Sequence, residues 1–219
     1  LRMFGTVVDS FIVVDALVFR KKSTTLVGLL EAVKADFVGY EELWAQMRKV
    51  PKYGSDDKIA NAHVKRLVSG FDAIVYEKNR PYFEAEGLFL QPCMQSDTWH
   101  LKLGEKCGAT ADGRRAGKSF AQNSNPSPGA AINGLTAVLN SLLERPYGEL
   151  TSGALNLDVE PKAFNGESGL NAFAALLGTY FNRGGLHAQV SAVNVDELED
   201  AQRDPASHAD LRVRVTGYS

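Results

Sequence analysis

The chain has 219 residues, 44% of them hydrophobic and 23% charged, enough to bury a sizeable core and typical of a soluble globular protein. The formal net charge is -2 and the basic residues are dispersed, which argues against nucleic acid or a membrane surface as the main partner. Cys93 and Cys107 lack CxxC spacing and neighbouring histidines, so neither a disulfide framework nor a zinc site is expected, and a cytoplasmic setting fits best.

The opening apolar stretch, 4–19, is interrupted by Asp9 and Asp15 and reads as a buried element rather than a signal peptide or a membrane span. Leu26, Leu29, Leu30, Val33 and Phe37 follow at helical spacing behind the cap candidates Ser23, Thr24 and Thr25. A short helix is expected over 43–47. A longer one starts near Asp56, carries Ile59, His63, Leu67, Phe71 and Ile74 on one face, and ends at Arg80-Pro81.

Residues 88–103 favour extended chain. Residues 104–134 are rich in Gly, Ser, Asn and Pro and form a long ordered loop, a feature that is more often functional than idle. A helix resumes at Leu135, Val138, Leu139 and Leu142. Leu155, Leu157 and Val159 alternate with polar residues as in a strand that Pro161 closes. Leu170, Phe173, Leu177 and Phe181 mark a helix stopped by Gly184-Gly185, and 186–194 is again extended. Asp196 with Glu199 resembles a capping box, and Leu211, Val213 and Val215 alternate into Gly217. Alternating strands and helices predict an α/β architecture.

Four stretches then stand out in order: Pro51-Lys52-Tyr53-Gly54-Ser55-Asp56-Asp57; Gly108-Ala109-Thr110-Ala111-Asp112-Gly113-Arg114-Arg115-Ala116-Gly117 with Asn125-Pro126-Ser127-Pro128-Gly129; Thr179-Tyr180-Phe181 through Gly184-Gly185 to His187-Ala188-Gln189-Val190; and Asp200-Ala201-Gln202 leading to Arg214-Val215-Thr216-Gly217-Tyr218. Each alone is weak, but their shared order is specific. In this order the chain resembles the C-terminal portion of glycyl radical enzymes of the pyruvate formate-lyase and diol dehydratase type.

That resemblance makes Gly217 the radical-bearing residue. A carbon-centred radical between an amide nitrogen and a carbonyl is delocalised best when planar, and a side chain would crowd that plane. The resemblance further implies no bound cofactor, a radical installed by an activating enzyme that uses S-adenosylmethionine and an iron-sulfur cluster, and transfer to a catalytic cysteine. That cysteine belongs to an N-terminal portion or subunit outside this chain, since neither Cys93 nor Cys107 lies in the expected Gly-Cys-Val-Glu context. A homo-oligomer is expected.

The implied fold is the second half of a ten-stranded barrel with surrounding helices, spanning 1–219, with 211–219 the strand and start of the glycyl radical loop. Position in the resemblance puts substrate-wall candidates at Met94 and Val159. The chain is expected to be a fragment or a split-gene subunit, inactive alone; the alternative is a non-catalytic radical spare part or structural fragment that binds a larger partner. His187, Gln189 and Ser191 share a strand face, either contacting substrate or the glycine loop or forming a satisfied core network. His63 is read as a packing or interface histidine rather than a base. Asp112 and Arg114 are expected to hold the long loop through a charge pair.

Overall fold

Residues 2–88, 93–94, 98–144, 152–192 and 194–211 are described by a computed structural model. Helix α1 (Phe4–Val14) runs on as a π turn over Asp15–Arg20, so the opening stretch is a buried helix. It buries Phe4, Val8, Ile12 and Val13 and packs on α4 (Lys58–Asp72). Asp57 caps α4 by accepting from the amides of Ile59 and Ala60 at 2.9 and 3.0 Å.

The buried face of α4 is Ala60, Val64 and Val68, one position round from the expected stripe, and Ile59 and Ile74 are exposed. The smaller stripe lies against the bulky side chains of α1, where short residues allow close helix approach. Helix α2 (Leu26–Lys34) is capped by Thr25, whose hydroxyl accepts from the Gly28 amide at 3.0 Å. It ends sooner than its periodicity predicts. Asp36 and Phe37 take positive φ, and Phe37 turns fully into the core to stack on Trp44 of α3 (Glu41–Lys49).

Pro81 opens α5 (Arg80–Ala85) instead of ending the preceding helix, which is the position where a missing N–H costs least. Part of 88–103, expected to be extended, is helical: after the two-residue strand β1 (Cys93–Met94), α6 spans Trp99–Lys106. The apparent alternation of Leu101 and Leu103 hides the face that packs, His100 and Gly104. A Cβ on Gly104 would meet the Lys118 carbonyl at 2.5 Å, so this helix lies backbone to backbone on the long loop.

No helix or strand interrupts 107–133. Helix α7 (Gly134–Leu143) follows, then β2 (Ser152–Val159), α8 (Gly166–Asn182), β3 (His187–Ala192) and α9 (Val195–Arg203). Asn194, not Asp196, caps α9, its side-chain oxygen accepting from the Asp196 amide at 2.9 Å.

The strands form a parallel sheet in the order β1-β2-β3, with α8 as the crossover between β2 and β3. The register sets Leu155 beside Ala188 and Leu157 beside Val190, and these side chains join the core with Leu176, Leu177 and Tyr180 of α8. The opposite face carries Asn156 beside Gln189 and Asp158 beside Ser191. One face is therefore apolar and packed against a helix, and the other is polar. The architecture is α/β. The expected strand over 211–217 lies outside the described residues beyond Leu211.

Helix α8 ends in a Schellman motif: the Gly185 amide bonds the Tyr180 carbonyl at 2.9 Å and the Gly184 amide the Phe181 carbonyl at 3.0 Å. Gly184 has φ 96, and a Cβ on Gly185 would lie 2.4 Å from the Tyr180 ring. The two glycines thus turn the chain under a buried tyrosine and deliver it into β3.

Candidate functional site

The first two motif stretches meet around Tyr53. Its amide donates to the Asp9 carboxylate at 2.8 Å, its ring stands edge-on to Phe4, and its hydroxyl donates to the Ser124 carbonyl at 2.8 Å. Next to it Gly54 has φ 92, and a Cβ there would lie 2.3 Å from Pro126 Cγ. Only glycine fits both the backbone and the contact. The Asp56 amide donates to Ser141 Oγ at 2.9 Å and Asn133 donates to the Ser55 carbonyl at 2.8 Å, which ties the same segment to α7 and the loop before it.

Arg114 organises the long loop. Its guanidinium donates to the carbonyls of Gly108, Arg115 and Lys118 and to the Thr110 hydroxyl, and lies 4.0 Å from the centre of the Phe120 ring. The expected Asp112–Arg114 charge pair is not made through the side chains. The Asp112 carboxylate accepts from the Thr110 hydroxyl and the Arg114 backbone amide, so each residue folds the loop backbone separately. Arg115 and Ala116 grip the strained turn at Asp36 through its carbonyl and carboxylate, at 3.0 and 2.8 Å. Further along, Asn125 makes two amide bonds to the backbone of Asn156, at 2.6 and 2.9 Å, and the Ser124 amide bonds the Ala154 carbonyl. The loop is thereby stitched to β2.

Between α3, residues 51–55 and the long loop opens a cleft of about 960 Å3. Beneath it Asp9 is completely buried, and burial pushes its carboxyl up from 3.8 to about 7. Ser127 and the Tyr53 amide oppose that rise, as does the nearby charge of Lys52. Ser127 stands close enough to weigh on the carboxylate, yet neither its hydroxyl nor Asp9 Oδ2 completes a hydrogen bond of good geometry. Burial also lowers the pKa of Lys52, whose ammonium donates to the Met47 carbonyl at 2.8 Å.

Asp9 and Lys52 were visible in the sequence only indirectly. The one available signal for Asp9 was a carboxylate inside an otherwise apolar helix, between Val8 and Ile12.

Gly217 lies outside the described residues. Met94 is fully buried in the core and Val159 packs against that core at the other end of β2. Met94 pairs with Gly153, six positions before Val159, so roughly 20 Å separate the two along the sheet. The structure does not bring them together. His187, Gln189 and Ser191 share the polar face of β3, with Gln189 and Ser191 half-buried and His187 exposed. His63 bonds Asp15 at 3.0 Å, bracing α4 against the π turn together with the Arg20–Asp15 pair. Cys93 is exposed and Cys107 half-buried. Among the described residues no three His, Cys, Asp or Glu side chains are grouped to hold a metal, and no helix is long and apolar enough to cross a membrane.

A parallel sheet with one helix-covered face, bound to a long glycine-rich loop, defines an α/β protein in which the motif stretches interlock. Residues 3–100 match the Pyruvate formate lyase-like family and residues 120–219 the Glycine radical family. The chain is 33% identical to isethionate sulfite-lyase of Nitratidesulfovibrio vulgaris, covering 99% of this chain and 26% of the relative. It is 34% identical to trans-4-hydroxy-L-proline dehydratase of Clostridioides difficile, covering 98% and 27% respectively. Among solved structures it superposes on the glycerol-bound B12-independent glycerol dehydratase of Clostridium butyricum with a TM-score of 0.86 at 29% identity, over 99% of this chain and 27% of that one. The chain belongs to the glycyl radical enzyme superfamily. It spans about a quarter of the length of the relatives it matches.

Proposed function

We propose that this chain is the radical-bearing portion of an anaerobic glycyl radical enzyme, of lyase, dehydratase or formate acetyltransferase type, and that Gly217 stores the radical. The observation that carries this reading is the match of residues 120–219 to the Glycine radical family, which takes in the Arg-Val-Thr-Gly-Tyr run. An activating enzyme using S-adenosylmethionine and an iron-sulfur cluster removes one hydrogen atom from the Gly217 α-carbon. The glycyl radical then takes a hydrogen atom from the thiol of a cysteine in a portion or subunit outside this chain, leaving a thiyl radical that abstracts hydrogen from substrate. Return of hydrogen along the same path restores both centres.

The sheet supports this placement. In a half-barrel of the ten-stranded type the helices cover the outside, and the face turned from α8 here is the polar one, carrying Asn156, Asp158, Gln189 and Ser191. Hydrogen-bonding groups on an inner wall suit a polar substrate or the backbone of an inserted loop. Neither wall candidate lies on that polar face: Met94 is enclosed by the core, and Val159, at the carboxyl end of β2, shares the apolar face of Leu155 and Leu157, so the polar side chains are the better candidates to meet substrate. The working enzyme is proposed to be a cytoplasmic homo-oligomer.

Anaerobic incubation with the cysteine-bearing portion and an activating enzyme is expected to give a glycyl doublet in electron paramagnetic resonance. A doublet that persists in Gly217→Ala sinks the assignment.

A further inference from the structure

Two asparagines in the chain precede glycine, Asn133-Gly134 and Asn165-Gly166. In this order the side-chain carboxamide is open to attack by the next backbone nitrogen, because glycine has no Cβ to hinder closure of a succinimide ring. The attack needs a carboxamide free to swing and a nitrogen free to meet it, so the fold decides which of the two pairs reacts.

The fold treats them differently. The Asn133 side chain donates to the Ser55 carbonyl at 2.8 Å and must break that bond before it can turn on its own backbone. Asn165 is exposed, its backbone is extended with φ -69 and ψ 147, and it makes no side-chain cap hydrogen bond to α8. Among the described residues nothing holds its carboxamide. Gly166 opens α8, where the first N–H groups have no partner within the helix. Apart from its own helix and chain neighbours, no atom lies within 4 Å of the position its Cβ would take. Nucleophile and target both stand in open space.

We propose that Asn165 is a site of spontaneous covalent modification in the folded protein, and that its isoaspartate product loosens the start of α8. The Gly166 nitrogen adds to Asn165 Cγ to form a C–N bond. The Cγ–Nδ2 bond breaks, and Nδ2 leaves as ammonia with the proton that Gly166 gives up. The succinimide then takes up water at either carbonyl and opens to aspartate or isoaspartate. Water enters, ammonia leaves, and no electron is transferred.

The position gives the products different consequences. Helix α8 is the crossover between β2 and β3, and its first turn is pressed on the short 3-10 turn Pro161–Phe164. A Cβ on Gly169 would lie 2.4 Å from the Phe164 carbonyl carbon, and the rings of Phe164 and Phe173 stand 4.9 Å apart. Aspartate caps a helix as well as asparagine does and leaves this corner intact. Isoaspartate routes the backbone through the former side chain and inserts a methylene between Phe164 and Gly169, where the packing leaves no room.

The test is a time course of the 219-residue chain held near neutral pH, with peptide mapping by mass spectrometry and isoaspartate detected by an isoaspartyl methyltransferase. Isoaspartate is expected at Asn165, and conversion there should run about tenfold faster than at Asn133, the factor by which an ordinary hydrogen bond slows a step that must break it. In the urea-unfolded chain the two pairs should react at similar rates. Asn165→Ser keeps a good cap, and should abolish the faster conversion while leaving the Asn133 rate unchanged. Aged chain should unfold at lower urea than fresh chain, and aged Asn165→Ser should not. An Asn165 that stays intact in the folded chain, an Asn133 that converts as fast, aspartate without isoaspartate, a rate difference that persists in urea, or an aged chain as stable as the fresh one would each overturn the proposal. No radical chemistry enters these measurements, so their failure leaves the Gly217 reading standing.

Discussion

Replacing Asp9 with asparagine should stabilise the protein, and by an amount that depends on pH. With a carboxyl raised from 3.8 to about 7, the native state keeps a proton between those values that the unfolded chain has released. The native state therefore binds more protons across that window, and stability falls as pH rises through it. At 1.36 kcal/mol per unit, the three-unit gap costs about 4 kcal/mol once pH passes 7. The asparagine side chain of the variant cannot titrate, its oxygen can still accept from the Tyr53 amide, and its new NH2 group faces the open Ser127 hydroxyl.

Urea unfolding of both proteins at intervals from pH 4 to pH 8 isolates the effect, because every other titrating group cancels in the difference. Near pH 4 the two should be about equally stable. By pH 8 Asp9→Asn should lead by up to about 4 kcal/mol. A difference that stays flat with pH, or a variant that is the weaker protein at pH 8, would show that Asp9 is held charged against Lys52 and would refute the reasoning.

Arg114→Ala should cost roughly 3 kcal/mol or more, because it strands the Gly108, Arg115 and Lys118 carbonyls, and Arg114→Lys should recover little, since an ammonium cannot span three acceptors as the planar fork does. Denaturant unfolding measures the cost, and faster proteolytic cleavage within 107–118 would locate it. Gly54→Ala should destabilise by about 2–4 kcal/mol, combining the left-handed backbone with the collision at Pro126. Gly39→Ala has a similar φ of 80 but no atom within 4 Å of the new methyl, so it should cost only about 1–2 kcal/mol in the same assay.

What the sequence made legible follows the strength of its local signals. The strand around Leu155 and Leu157, the helix stopped at Gly184-Gly185 and the absence of regular structure across 107–133 were all readable, because alternation, paired glycines and a Pro/Gly-rich run act within a few residues. The buried side of α4 was not. Two apolar stripes compete there, and only the contact with α1 selects Ala60, Val64 and Val68. Helix α6 was missed for the same reason, its decisive residue being a glycine that packs on Lys118.

At the site, the motif residues were visible but their task was not. Arg114 looked like half of an ion pair and is a scaffold for carbonyls. Asp9, Lys52 and Ser127 come from segments far apart in the chain, and no local pattern announces that they meet. The radical-bearing glycine was the reverse case, legible through its motif, though it lies outside the described residues.

The bonds around Tyr53 also constrain how the chain reaches its native state. Asp9 to Tyr53 spans 44 residues, Tyr53 to Ser124 spans 71, Asp56 to Ser141 spans 85 and Thr6 to Ala121 spans 115. None of these can form before long stretches of backbone have been brought to closure, and such closures slow folding. Helices α1 and α4 lie at least as far apart in the chain as Asp9 and Tyr53, so their contact waits on a closure of the same kind, and the long loop needs a longer one before Pro126 can sit on Gly54. A chain emerging from the ribosome would thus hold Asp9 and Tyr53 without their lid until residue 126 arrives, and the interval in which that polar floor stands open is when misassembly is most available to it.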